Sequence, residues 1–192
     1  MYHIGKDSPE TRAIALLASK AIEQPFYTEM RTNQQLGYVV WSYPRIQDDT
    51  YYLNFLIQSG DYPADDLDQR ADNLIVTLPN LIANMSDESF QQLIDSEVET
   101  LERKPLSISE RAAKNKTIIF EYDGDFSRNN KTIESLKRVK KDDLAAYMRK
   151  VFSKETRKMI SVLAFAENHE NKSETKSSFS DLADWKSTRL YK

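Results

Sequence analysis

With 192 residues the chain is long enough to bury one sizeable core. An apolar share of 40%, with ten Tyr, eight Phe and two Trp, marks a folded domain rather than a disordered one. The net charge of -3, with acids and bases mixed along the chain, argues against nucleic acid as a main partner, because a phosphate-binding face needs surplus Lys and Arg. The absence of cysteine excludes disulfides, thiolate metal sites and cysteine nucleophiles.

The opening "YHIG" is strand-like, and "KDSPETRAIALLASKAIEQ" follows as a helix with Ser8 as N-cap and Pro9 at its first position. Its inward face carries Ile14, Leu17, Ala18 and Ala21, and Pro25 is expected to end or kink it. "LGYVVWSYP" and "TYYLNFLIQS" read as two strands of a hairpin joined by the loop "RIQDD", the second with Tyr51, Leu53, Phe55 and Ile57 on one face. From Pro63 the period becomes helical: Leu67, Ala71, Leu74, Leu78, Leu81 and Ile82 form a stripe with a bend at Pro79. A helix capped by Ser86 follows, with Phe90, Leu93, Ile94 and Leu101 inward. Ser107 and Glu110 form a capping box that starts another, running to about Tyr122. After the loop "DGDFSRNN" come helical segments "TIESLKRV" and "KDDLAAYMRKVF", then a strand, "KMISVLAFA". The remainder, 167–192, is polar and reads as a loosely held tail on a domain spanning 1–166. Strands followed by a run of helices predict an α+β fold, a mostly antiparallel sheet with helices packed on one face.

Few residues suggest chemistry. His3 and His169 are the only histidines, and neither has a His or carboxylate partner at ligand spacing. Asp123, Asp125, Ser127, Asn129 and Glu134 mimic a calcium loop, but Arg128 stands where such a loop needs glycine, so an ordinary inter-helix loop is expected. Asn-x-Ser/Thr triplets at Asn84, Asn115, Asn130 and Asn171 carry little weight without evidence of secretion. No run approaches the roughly 18 apolar residues of a membrane span, and the N-terminus has no signal-peptide pattern.

That leaves "FYTEMRTNQQLGYVVWS", where Arg31 and Tyr38 bracket Gly37 at the start of a strand. A helix-capping arginine beside a half-buried strand tyrosine is one reading. The other is that Gly37 lets backbone approach a ligand while a guanidinium and a phenol donate to carbonyl or oxyanion oxygens. Neither group starts a reaction unaided at neutral pH; both would assist chemistry performed by something else.

This stretch resembles the C-terminal half of the insulin-degrading enzyme and pitrilysin family, zinc peptidases with an inverted His-x-x-Glu-His motif. "RTNQQLGY" is its most specific part; "LNFLIQS", the helices from "MSDESFQQLI" through "FEYDGDFSRNN" and "SLKRVKKDDLAAYMRKVF" follow in the family's order, and "DLADWKSTRLYK" is similar to family endings. The resemblance implies one of four homologous α+β domains that enclose a large chamber, with zinc and the glutamate base on the N-terminal domain. It assigns Arg31 to a substrate carbonyl, Tyr38 to the developing oxyanion, and Tyr27 to the pocket beyond the scissile bond, with Gly37 also at the substrate. It implies no metal in this chain and zinc in the parent. The partners it implies are peptide substrates and either the remaining domains or a zinc-bearing subunit; nucleic acid and membrane are not among them. The resemblance leaves the compartment open, the periplasm being one the family allows if the source is bacterial. The chain lacks the zinc motif and is expected to begin partway through the domain, its leading strands missing. It therefore reads as an inactive C-terminal part of a zinc metalloendopeptidase. The alternatives are a stand-alone peptide-binding module and an inactive subunit that pairs with a zinc-bearing one.

Overall fold

The computed structural model describes residues 1–167 and 169. Strand β1 (Tyr2–Lys6) leads into helix α1 (Pro9–Tyr27), whose Ser8 Oγ accepts from the Thr11 N–H at 3.1 Å. A π-helical turn, Thr28–Asn33, continues α1 without a break. Strands β2 (Val39–Gln47) and β3 (Thr50–Gln58) follow, then α2 (Ala64–Ile75), α3 (Leu78–Ala83), α4 (Asp87–Glu102), α5 (Ile108–Glu121), α6 (Arg128–Leu136) and α7 (Lys141–Phe152). The sheet is antiparallel, in the order β1-β3-β2, so β2 is an edge strand.

The fold is α+β, as the order of elements predicted. Helix α1 lies directly on the sheet, and α4, α6 and α7 pack around it as an outer layer. Helix α1, which buries nine of its residues, takes the central place against the sheet. Phe55 of β3 joins the layers: its ring centroid is 4.8 Å from Phe26, 5.7 Å from Tyr2 and 6.1 Å from Phe152. The far face of the sheet carries exposed Trp41, Tyr43 and Leu56.

A buried ion cluster pins the start of α1. Asp7 accepts from Arg12 (2.6 and 2.8 Å) and from Arg128 of α6 (2.6 and 3.1 Å), and Arg128 also donates to the Tyr51 hydroxyl at 3.1 Å. Burial pushes the Asp7 carboxyl up, but hydrogen bonds and charge from the two arginines outweigh it and hold it at about 2.

Three local expectations are corrected. Pro25 neither ends nor breaks α1; the Thr28 N–H reaches both Gln24 O and Pro25 O, and the chain passes into the π turn. The segment "RIQ" belongs to β2, because Asp48 and Asp49 alone make the turn, both in the left-handed region at φ 47° and 55°. The segment 158–165 is not a strand: Met159 makes a single bridge to Tyr2, flanked by His3 N–H to Lys158 O and a reciprocal pair between Met1 and Ile160. The calcium-like loop is an ordinary one, with Asp125 accepting from Ser127 and Lys131. The tail lies almost wholly outside the described residues.

Candidate functional site: a wall of aromatic residues and one free arginine

The signature stretch is built on two buried anchors. Met30 and Leu36 are both fully buried, and the Leu36 N–H donates to Met30 O at 2.9 Å. Between and beside them the backbone must turn outward, with Gln35 in the left-handed region at φ 52°. The anchors therefore push their neighbours to the surface: Arg31 is half-buried and Tyr38 is 86% exposed. The two meet there, with the Arg31 guanidinium carbon 5.6 Å from the centroid of the Tyr38 ring. Among the described residues neither side chain has a salt bridge or a hydrogen bond, so their donors are free.

Polar residues lace the turn in place. Glu29 accepts from Asn33 at 2.7 Å and from Gln34 at 2.9 Å, bonds that hold its carboxyl below the usual range. Gln34 also accepts from Arg70 of α2 at 3.3 Å, and Arg70 is paired with Asp66. This network went unread in the sequence, although the four-residue spacing of Glu29 and Asn33 on helical backbone was a signal for it.

Gly37 has a structural duty of its own. A Cβ there would sit 2.0 Å from Gln58 O and 3.2 Å from Ser59 Cα, so only glycine lets the chain pass the end of β3 and enter β2. The close approach is thus to the neighbouring strand. Tyr27, 43% exposed at the end of α1, lines a groove of about 500 Å³ with Glu23 and Gln24 of α1 and Val40, Trp41, Ser42 and Tyr43 of β2. Tyr27 therefore stands beside the edge of β2, one helical turn before Arg31. Trp41, Ser42 and Tyr43 had not been singled out from the sequence; their alternation along β2 was the available signal.

What the wall can do is donate: a permanently charged guanidinium and a phenol can hold carbonyl or oxyanion oxygens, and aromatic rings can hold apolar side chains. It offers no nucleophile and no evident base. Among the described residues no group of three or more His, Cys, Asp or Glu is placed to hold a metal ion, so the residues present do not fit zinc. His3 lies 5.8 Å from the Tyr52 ring, and the His169 N–H donates to Ala166 O. No described helix is long and apolar enough to cross a membrane.

Comparison with known proteins identifies the family. The family described as PQQ synthase PqqF-like, C-terminal lobe domain 4, matches residues 16–116. Human insulin-degrading enzyme is 28% identical over 152 residues, covering 79% of this chain and 15% of that protein. A nardilysin-like protein of Arabidopsis thaliana is 31% identical over 147 residues, 76% of this chain and 14% of that one. Protease 3 of Escherichia coli is 27% identical over 131 residues, 68% of this chain and 13% of that one. Among solved structures, pitrilysin superposes with a TM-score of 0.72 at 22% identity, covering 78% of this chain and 16% of that one. A Helicobacter pylori protease superposes at 0.63 with 13% identity, covering 81% and 38%. The chain thus spans about 15% of the length of the insulin-degrading enzyme it matches.

Proposed function

We propose, because this chain belongs to the family of the PQQ synthase PqqF-like C-terminal lobe domain 4, that it supplies the non-metal wall of a zinc metalloendopeptidase's active site. The substrate class is peptides, in keeping with the peptidases it resembles. In this reading the metal and the water it activates come from another domain or from a partner subunit. This chain's own residues bind, orient and stabilise.

One observation carries the reading: Arg31 and Tyr38 stand together at the surface, unengaged, on a turn whose neighbours are locked. Arg31 donates to a carbonyl of the bound peptide and fixes its register. Tyr38 donates its hydroxyl to the oxygen that gains charge as the scissile carbonyl becomes tetrahedral, a contact stronger in the transition state than before it. Tyr27 receives the side chain that follows the scissile bond, and Gly37 holds Tyr38 in place through its packing on Gln58.

The test is steady-state kinetics on the full-length peptidase or, where this chain is a separate subunit, on its complex with the zinc-bearing one. Tyr38→Phe is expected to lower kcat about 100-fold, the usual cost of one oxyanion donor. Arg31→Ala should lower kcat/KM and raise KM, since its carbonyl contact already exists in the ground state. Neither change should alter thermal unfolding. Near-normal kcat in a stably folded Tyr38→Phe enzyme would return this tyrosine to a plain surface aromatic.

A further inference from the structure

A second hollow is formed by helices alone. The start of α1, the end of α6 with the turn after it, and the first half of α7 enclose a volume of about 270 Å³. Its lining shares no residue with the groove of Tyr27, and Glu10 and Tyr27 lie about 25 Å apart along α1 at about 1.5 Å per residue. The floor is apolar: Ile14 of α1, Val139 of the turn, and Leu144 and Tyr147 of α7. Tyr147 is fixed there, because its hydroxyl donates to Ile4 O of β1 at 2.7 Å.

One polar side chain interrupts that floor. Ser135 lines the hollow and is 5% exposed, yet among the described residues its Oγ has no hydrogen-bond partner. A hydroxyl this buried is normally bonded, so this one is open to a molecule that enters. The rim carries both signs of charge. Glu10 and Asp143 are acidic, Arg138 and Lys140 are basic, and all four are exposed. Among the described residues Glu10, Asp143 and Lys140 make no salt bridge. Arg138 pairs with Glu134 at 3.5 Å, but both side chains are more than 70% exposed and such a pair holds weakly.

We infer that this hollow binds a small zwitterion with an apolar body, a free α-amino acid of the leucine type. Balanced charges of both signs at one rim favour a ligand that carries both over a simple anion or cation. The carboxylate goes to Lys140 and Arg138, the ammonium to Glu10 and Asp143, and the side chain onto Ile14, Val139, Leu144 and the Tyr147 ring. The Ser135 hydroxyl bonds the polar head. A volume at the small end of ligand pockets suits one amino acid and is too little for a peptide of several residues. The bound molecule bridges α1 and α7, so it stabilises the folded chain. This goes beyond the peptidase reading and uses none of its residues. A failure here leaves the kinetics of Tyr38→Phe to stand or fall separately.

The probe is L-leucine, titrated into the isotope-labelled 192-residue chain and followed by amide chemical shifts. Saturable shifts centred on Ile14, Ser135, Val139 and Tyr147 are expected, with a Kd of about 1 mM, which a ligand of this size can reach. N-acetyl-leucine lacks the ammonium and leucinamide lacks the carboxylate; each should bind at least about 10-fold more weakly. Asp143→Asn and Lys140→Gln alter exposed side chains, so both chains should fold, and each should weaken leucine at least about threefold. Ser135→Ala should weaken it by a similar factor. No saturable shift up to about 20 mM leucine, or saturation centred on other residues, would overturn the inference. So would equal affinity for leucine and its two capped forms, or an affinity untouched by both charge variants.

Discussion

Helices α1 and α5 start on the same device: a serine, Ser8 or Ser107, whose Oγ accepts from the backbone N–H three residues on, at 3.1 Å in both. Yet α1 buries nine residues and α5 buries none. Phe26 of α1 is fully buried between the sheet and its neighbours, whereas Phe120 of α5 is 77% exposed, as are Ile108 at 89% and Leu106 at 79%. Among the described residues α5 is bonded, apart from its own turns, only to Leu106, Ser107 and Gly124, all immediate chain neighbours. The difference teaches that capping and periodicity decide where a helix begins and which face is apolar, but not what that face meets. A 14-residue helix is marginal on its own terms, so α5 draws little stability from this domain.

The largest expected effect separates the two helices directly. Phe26→Ala should cost about 4 kcal/mol, from lost burial plus an unfilled cavity, while Phe120→Ala should stay within about 0.5 kcal/mol. Urea unfolding of the 192-residue chain measures both. Equal losses would mean that α5 packs on the core after all.

The ion cluster at the head of α1 has no counterpart at α5, and it makes a pH prediction. Asp7 has a folded pKa of about 2 against an ordinary 3.8, so the unfolded chain takes up a proton first as pH falls. Its contribution, about 2 kcal/mol, is present above pH ~4 and is lost as the pH drops toward ~2. Urea midpoints across that window should fall for the natural chain, and Asp7→Asn should remove that part of the slope while lowering stability at neutral pH. A slope that survives Asp7→Asn would locate the acid sensitivity elsewhere.

Gly37→Ala probes the link between α1's extension and the sheet. The added methyl meets backbone atoms of Gln58 and Ser59, which cannot swing aside as a side chain could. A loss of about 1–3 kcal/mol is expected, with chemical-shift changes centred on Tyr38 and Gln58. A neutral result would show that the chain can pass β3 at a greater distance.

The smallest contrast is at the caps. Ser8→Ala should lower global stability by about 1 kcal/mol, because unfolding α1 unfolds the domain. Ser107→Ala should leave the urea midpoint unchanged and only speed amide exchange within α5. Global destabilisation by Ser107→Ala would contradict the picture of α5 as an uncoupled element.

How much was legible can be followed along the chain. Ser8, Ser86 and Ser107 were read as caps because their signal is local, and all three accept the expected backbone N–H. The paired strands were read from alternation at Leu53, Phe55 and Ile57. The segment 158–165 has the same alternation and makes only one bridge, because alternation sets which residues share a face and not whether a neighbouring strand pairs with them. Arg31, Tyr38, Tyr27 and Gly37 stood out through a family resemblance; composition alone left their role open. Their arrangement was beyond reach, since Met30 and Leu36 act as anchors only once the core exists around them.

The sequence by itself determined the α+β order, the helix starts and the family to which the chain belongs. These rest on short-range chemistry, caps, periodicity and turn residues, which a few neighbouring side chains settle. Only the tertiary structure decided that α1 would be the central helix, that β2 would be left at the edge, that Gly37 would press on Gln58, and that α5 would bury no residue among the described ones. Those outcomes depend on which surfaces compete for the same burial, and that competition is resolved between residues far apart in the chain.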